Sequence, residues 1–414
     1  MLIGFTFKNF LSFYDETIFS MVANNNTSFQ NTNVHKTSSG NFIKNAIIFG
    51  ANGSGKTNLI LAFHQMKKIV TADLNEQSDL LSRFYFFMFN MNAYYLPISF
   101  EVRFIAENKI VYEYVFEFLK GVITKEYLRK KKDKQFVDLF TRDGSDYETI
   151  KLCQEMNEVE HLKKNTRKDN LFLYWANIGN NEIAMSVYQW FKNIEVFLSN
   201  DSSNMLSITM NYILNYEEGK KNVLKLLQKA DTGIHDFHYE LYDVDPKNDL
   251  TYTATRNKYT DTSKTVELFT KRNLFDSKWS KINDVASPIS TESAGTKKLF
   301  EISGPIILAL QNGGVLLIDE IDTRLHPLLV RFLIMLFNSK SNNPHNAQLI
   351  CNTHNVQLLE LDIRKDQIYF TEKDDTGRSK LYSLSDFKDI NKESDILRQY
   401  LLGMYGATPK FKDF

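Results

Sequence analysis

Gly50-Ala-Asn-Gly-Ser-Gly-Lys56-Thr57 follows an apolar run, Ala46-Ile-Ile-Phe49, and precedes a helix-like one, Leu59-Ile-Leu-Ala-Phe63. A strand, a glycine-rich turn and a helix in that order make a phosphate cradle. The glycines let backbone N–H groups converge on phosphate oxygens, Lys56 reaches the β- and γ-phosphates, and Thr57 offers its hydroxyl to Mg²⁺. The helix adds the positive end of its dipole. A plain glycine turn needs neither Lys nor Thr at those two places. The stretch therefore predicts a nucleoside triphosphate site formed by Gly50, Asn52, Gly53, Ser54, Gly55, Lys56, Thr57 and Asn58. No Asn-Lys-x-Asp base-reading motif follows, so ATP is expected rather than GTP.

A second segment completes that site. Val315-Leu-Leu-Ile-Asp319-Glu320 is an apolar strand ending in two carboxylates, and such a run fits a parallel strand buried on both faces. Asp319 is expected to hold Mg²⁺ with Thr57. Glu320 is placed to polarise the attacking water as general base. Alone, the pair reads equally well as an ordinary strand end with solvated acids; the loop at Gly50 argues for the metal site. Ser293-Ala-Gly295-Thr296 opens a helix-like stretch 24 residues before Asp319 (319 − 295). A Ser-x-Gly turn at a helix start can grip a γ-phosphate, although a plain N-cap is its ordinary role. Gln348-Leu-Ile-Cys351 reads as a neighbouring strand ending in Asn352-Thr-His354, where His354 can donate to the γ-phosphate. Asp322 lies where an acid would touch a second subunit.

Composition sets the class. With 414 residues the chain can build two or more domains. Fifty basic and fifty acidic side chains leave no global field toward nucleic acid or membrane. Two cysteines, Cys153 and Cys351, make no disulfide framework and fit a reducing cytosol. No signal peptide is read at the start, where Lys8 and Asp15 come early. The apolar stretch Ile302–Ile318 is broken by Gln311-Asn-Gly-Gly314, so it does not span a bilayer. A soluble cytoplasmic protein is expected.

The order of phosphate loop, Ser-x-Gly turn, strand-Asp-Glu and strand-end His resembles ABC-type ATPase heads. More narrowly it is similar to the RecF-like and SMC-like branch, among the AAA-family ATPases of antiphage and abortive-infection systems. Asn9-Phe-Leu-Ser-Phe13, Glu292-Ser-Ala-Gly-Thr-Lys297, Asp319-Glu-Ile-Asp322 with Leu325-His-Pro327, and Tyr400-Leu-Leu-Gly-Met-Tyr-Gly406 carry the resemblance. It implies an α/β fold: a mixed phosphate-loop sheet plus an antiparallel β subdomain, with a mainly helical insertion. It also implies a head-to-tail homodimer or higher homo-oligomer. Lys56, Thr57 and Asp319 of one copy would hold ATP·Mg²⁺, while Ser293 and Gly295 of the other complete the γ-phosphate shell. Two departures stand out. Leu11 occupies a position where relatives often carry a basic residue, and no glutamine stands in the usual metal-sensing loop, where Asn90 or Asn92 is the nearest substitute.

Lys56 and Asp319 stand 263 residues apart (319 − 56), longer than many whole domains. Residues 1–145 read as an N-terminal lobe, 146–284 as a mainly helical insertion with a strand-rich return, and 285–414 as a C-terminal lobe. Ile98–Phe104 and Tyr112–Phe118 alternate like antiparallel strands, Met185–Leu198 and Gly219–Leu227 read as helices, and Phe237–Thr270 as strand-like. No heptad run indicates coiled-coil arms. The aromatics of Phe84-Tyr-Phe-Phe-Met-Phe89 are assigned to the lobe core. Basic tracts at Arg129–Lys132 and Lys163–Lys168 read as solvated surfaces diluted by acids, leaving direct nucleic-acid contact possible. His235 and His238 lack metal-ligand spacing and read as structural. After His354 there is no room for a Toprim nuclease like that of overcoming-lysogenisation-defect proteins. The function expected is an ATP-driven switch controlling a separate effector nuclease or toxin. A DNA-repair or chromosome-associated ATPase that binds DNA directly is the alternative.

Overall fold

The computed structural model describes residues 1–230, 232–243, 264–387 and 395–409. The chain opens with β1 (Leu2–Lys8), β2 (Thr17–Ser20), a hairpin of β3 (Val34–Thr37) and β4 (Gly40–Ile43), then β5 (Asn45–Phe49), α1 (Lys56–Thr71) and α2 (Leu74–Ser82). Five strands follow: β6 (Ile98–Ile105), β7 (Val111–Leu119), β8 (Val122–Lys132), β9 (Gln135–Asp143) and β10 (Ile150–Leu152). Next come α3 (Phe172–Ile178), α4 (Glu182–Lys192), β11 (Ile194–Phe197), α5 (Ser202–Asn215), α6 (Gly219–Lys229), β12 (Asp236–Asp243), β13 (Lys264–Phe275) and β14 (Lys281–Pro288). The chain continues with α7 (Ala294–Asn312), β15 (Val315–Ile318), α8 (Pro327–Asn338), β16 (Gln348–Asn352), β17 (Ile368–Lys373), β18 (Ser379–Ser383) and α9 (Ile396–Leu401).

Two large sheets sandwich α1. The first is antiparallel, in the order β10-β9-β8-β7-β6-β1-β2; the second runs β11-β15-β16-β5-β17-β18 and is parallel except at β18. The sequence already separates them. Along β6, Ile98, Phe100, Val102 and Phe104 are buried and alternate with more exposed residues, the pattern of a sheet with one covered face. Every residue of β5, β15 and β16 is buried, as a parallel strand covered on both faces requires. Helix α1 turns Leu59, Ile60, Phe63, Met66 and Ile69 inward, and the Phe63 ring lies 4.7 Å from that of Phe5 on β1. Buried Gln348 stitches the sheets together: its side chain accepts from the Leu2 N–H at 2.6 Å and donates to the Leu2 carbonyl at 3.0 Å. The mixed phosphate-loop sheet and antiparallel subdomain match the fold expected from sequence.

The range 146–284 does not stand apart from these sheets. Within it, β10 extends the antiparallel sheet and β11 pairs in parallel with β15. Met185–Leu198, read as one helix, is α4 followed by β11. Ile-Glu-Val-Phe after Asn193 is β-branched and aromatic, and gains a ladder against β15 instead of another helical turn. Helices α5 and α6 share the buried core beneath α7, and β12-β13-β14 form a separate three-stranded sheet. Residues 244–263 of the strand-like stretch Phe237–Thr270 lie outside the described residues.

Two sequence readings of surface and core come out differently. Of Phe84–Phe89, only Phe87 is fully buried, whereas Phe84, Met88 and Phe89 are 73%, 74% and 72% exposed. The segment is a turn-rich link between α2 and β6, without the regular period that would aim its rings to one side. The basic tract Arg129–Lys132 ends β8 at a hairpin turn, as a solvated tip. Arg129 pairs with Asp138 at 2.6 Å and Glu113 at 3.4 Å, and Lys130 pairs with Glu155. His235 bonds the Lys271 carbonyl through Nδ1 at 2.7 Å, and His238 stacks on Phe269, both in structural settings.

Helix α7 carries a break that α5 fills. Pro305 has no N–H for the Glu301 carbonyl; the Thr209 hydroxyl of α5 donates to it at 2.8 Å and accepts from Gly304 N–H at 3.0 Å. A Cβ at Gly304 would sit 2.5 Å from the Thr209 Cα, so only glycine permits this approach.

Candidate functional site

The phosphate loop leaves β5 at its carboxyl end and enters α1. Gly50 has φ 155° and Gly55 φ 113°. A Cβ at Gly50 would lie 2.5 Å from the Thr371 carbonyl oxygen, and one at Gly55 2.5 Å from Ser379 Oγ. Neither position admits a side chain, because β17 and β18 press on the loop from behind. A hydroxyl network fixes the loop there. Ser379 Oγ donates to the Ser54 carbonyl at 2.7 Å and lies 2.7 Å from Ser12 Oγ, and Ser54 Oγ lies 2.7 Å from Thr371 Oγ1. Asn58, counted among the nucleotide-binding residues by its sequence position, donates to Ser12 Oγ at 2.7 Å and belongs to this lock. Ser12 comes from the Asn9–Phe13 turn, so that motif braces the loop. Asn52 and Gly53 form the exposed tip.

Lys56 folds back over the loop and donates to the carbonyls of Gly50 at 2.7 Å and Ala51 at 3.0 Å. Burial lowers its pKa; Glu320, Asp319 and Asp322 oppose that shift. A buried ammonium held only by carbonyls is a ready anion partner.

At the same sheet edge a polar chain joins loop and strand ends. Thr57 Oγ1 donates to Asp319 Oδ1 at 3.0 Å, Asn352 Nδ2 donates to the same oxygen at 2.5 Å, and the Glu320 N–H donates to Asn352 Oδ1 at 2.5 Å. Asp319 is 2% exposed. Glu320 sits at φ 51°, in the left-handed region, which costs a non-glycine residue roughly 1–2 kcal/mol. Asn352 holds it there. The Glu320 carboxylate is half-exposed, accepts from Thr323 Oγ1 at 3.2 Å, and lies 4.0 Å from His354 Nε2. Asp322 accepts from the His354 N–H at 3.2 Å and so positions the strand end within its own chain.

Lys56, Thr57, Asp319, Glu320, Asp322 and His354 thus converge, whereas Ser293 and Gly295 do not join them. Ser293 caps α7, accepting from the Thr296 N–H at 3.1 Å, and its turn is exposed. No hydrogen bond links that turn to Gly50–Asn58 or to the Asp319–Glu320 pair among the described residues. Glu292 beside it is anchored by Thr270 at 2.6 Å and Arg272 at 2.7 Å, both on β13. Asn90 accepts from the Asn92 N–H at 2.8 Å within its own turn. No cluster of three or more His, Cys, Asp or Glu suited to a metal exists among the described residues, so a cation here would rest on Thr57 and Asp319 plus ligands from outside the chain. Asn352 carried no role in the sequence reading; a polar strand-end residue before Thr-His has no distinguishing signal until the strands are aligned.

A buried lysine on a glycine loop, joined through a threonine to a strand-end acid pair, defines a phosphate-loop nucleoside triphosphatase. Its family is settled by sequence. Residues 46–360, well over half of the chain, match the family model described as "AAA domain, putative AbiEii toxin, Type IV TA system", and the chain belongs to that family. It is an ATPase. No curated protein matches the sequence. Among solved structures, an SmcHead bound to the C-winged helix domain of ScpA is similar at 13% identity and TM-score 0.41, covering 92% of this chain and 97% of that one. An Smc head domain with an extended coiled coil, bound to the C-terminal domain of ScpA derived from Pyrococcus furiosus, gives 12%, 0.40, 92% and 96%. The recombination mediator RecF-ATPrS gives 12%, 0.34, 92% and 98%.

Proposed function

We propose that this chain is an ATP-driven conformational switch in which two copies clasp ATP between them and separate after hydrolysis. The continuous chain Thr57–Asp319–Asn352–Glu320 carries the reading, because it ties the phosphate loop to the strand-end acids as one unit. Lys56 exchanges its loop carbonyls for the β- and γ-phosphates. Thr57 and Asp319 offer an oxygen-only pair suited to Mg²⁺, which when bound neutralises phosphate charge. Glu320 takes the proton of the attacking water, and His354 donates to the γ-phosphate.

The other half of the site comes from a second copy. The cavity beside Asn52–Ser54, walled by Thr371–Lys373, Ala407 and Thr408, measures about 160 Å³. It lies on the β17 side of the loop and includes neither Lys56, Thr57 nor Asp319. Exposed Ser293 and half-buried Gly295, unbonded to their own phosphate loop, are offered to a partner, with Asp322 at the subunit contact. We infer that the switch regulates a separately encoded nuclease or toxin in antiphage defence, a reading supported by the AbiEii wording of the family description. Direct DNA binding has less support, since Arg129 and Lys130 of the basic hairpin are ion-paired. No helix among the described residues is long and apolar enough to cross a membrane.

The test is Glu320→Gln. ATP should remain bound while phosphate release falls by about 10²–10⁴-fold, the range for losing a general base. Unchanged turnover would remove Glu320 from its role.

A further inference from the structure

A large cavity lies at the far end of the parallel sheet, where β15 begins and Asp319 is at the opposite end. It measures about 760 Å³, within the roughly 300–1,000 Å³ range of small-molecule pockets. The apolar part of its wall is Pro305, Leu308 and Ala309 of α7, Ile208 of α5, and Trp190 and Ile194 from α4 and β11, and Ser39, Asn193 and Asn312 add polar groups. Its rim is cationic. Lys36 stands on the β3–β4 hairpin, Lys109 on the β6–β7 turn and Lys192 at the end of α4.

Two acids, Glu107 and Glu195, share the rim with these three lysines. Glu107 accepts from Asn193 Nδ2 at 2.9 Å, and Glu195 lies 3.8 Å from Lys67. Lys36 and Lys109 have no ion pair among the described residues, and the Lys192 ammonium lies over the Tyr188 ring at 5.1 Å. Burial, and then Lys44, hold His35 down at about 4, and Lys340 adds to the burial that lowers Lys44. Apolar walls under unpaired lysines favour an apolar body bearing a negative group.

We propose that this cleft is a second ligand site, separate from the nucleotide, for a small organic anion: a flat or branched apolar body with a phosphate, sulfonate or carboxylate. Its occupant touches α7 in the half beyond Pro305 and the start of β15. The same helix begins at Ser293 and the same strand ends at Asp319, so occupancy alters ATP turnover. That last consequence rests on the switch reading above; the binding itself does not.

The probe is 8-anilinonaphthalene-1-sulfonate, an aromatic body with one sulfonate. It is titrated by fluorescence without nucleotide into the unaltered protein, a Lys36→Glu/Lys109→Glu variant, and a Lys225→Glu control on the exposed face of α6, with amide hydrogen exchange mapping the contact. The expected result is saturable binding with protection at residues 36–39 and 312–315. Binding should be about tenfold weaker in the double variant, where two rim attractions become repulsions, and unchanged in the control. Equal titration of all three proteins would overturn the proposal. So would protection confined to residues 84–95 or to the β13–β14 hairpin, the competing exposed apolar surfaces. An inactive ATPase would leave the titration intact, so failure of the switch reading and failure of this site are told apart.

Discussion

Replacing Asn352 by alanine tests the polar chain at its middle link. The side chain gives one hydrogen bond to the Asp319 carboxylate and accepts one from the Glu320 N–H, both at 2.5 Å, in a residue with no exposed surface. The charged bond is worth about 1.5–3 kcal/mol and the neutral one about 1, so with Thr57 still serving Asp319 a stability loss of about 2–4 kcal/mol is expected. The larger effect falls on chemistry. Asn352 holds Glu320 at φ 51°, and freeing that backbone shifts the carboxylate from its place. A displacement of about 1 Å costs about a hundredfold in rate. Lys56 and the loop are untouched, so KM for ATP should stay within about threefold while kcat falls. Asn352→Asp sharpens the case. It keeps the acceptor for Glu320 but sets a second carboxylate against Asp319, where the two would share a proton. Its activity should recover as pH falls, and that of Asn352→Ala should not. Steady-state phosphate release across pH, with urea unfolding for stability, measures both. A normal kcat in Asn352→Ala, or a loss confined to KM, would show that Asn352 does not place Glu320.

Three further outcomes are expected. Gly50→Ala forces a Cβ to 2.5 Å from the Thr371 oxygen at φ 155°; equilibrium binding of ATP should be lost, and retained affinity would show that the loop can relax. His35 and His64 are held at about 4 by burial first, so both stay neutral in the fold while the unfolded chain takes up protons below about 6.5. Stability is then complete above that value and lost as pH falls toward 4, by up to about 2 kcal/mol per histidine at pH 5. His35→Leu should flatten the fall in urea midpoint between pH 7 and 5, and an unchanged slope would contradict it. Thr209→Val removes the hydroxyl that serves Glu301 and Gly304. It should destabilise the protein by about 1–3 kcal/mol in chemical denaturation, and a neutral effect would mean that water replaces it.

How much could be read in advance depended on distance along the chain. Gly50–Thr57 was legible because a phosphate cradle needs particular residue types at fixed spacing. Val315–Glu320 was legible because four apolar residues before two acids admit few arrangements. The two sheets followed from alternation in Ile98–Phe104 and its absence in Ala46–Phe49. Contacts between distant positions gave no signal. Ser12, Asn58, Ser379 and Ser54 lock the loop across 367 positions, yet each alone is an ordinary small polar residue. Asn352 matters only because β16 lies beside β15. Ile194–Phe197 was hidden by the helix before it, since a four-residue apolar run fits either period. Phe87 is buried and Tyr85 and Phe86 pack on the lobe core, but Phe84, Met88 and Phe89 are exposed, because apolar content measures what can be buried, not what the backbone turns inward.

The switch requires that the Ser293 turn of one copy close on the phosphate loop of another. The mass of the Glu320→Gln protein in solution, by light scattering with ATP and Mg²⁺, tests this most directly. A species of twice 48.2 kDa is predicted, reverting to the monomer when Ser293→Arg is added although ATP stays bound. A single-copy mass with saturating ATP, or a dimer indifferent to Ser293→Arg, would contradict it.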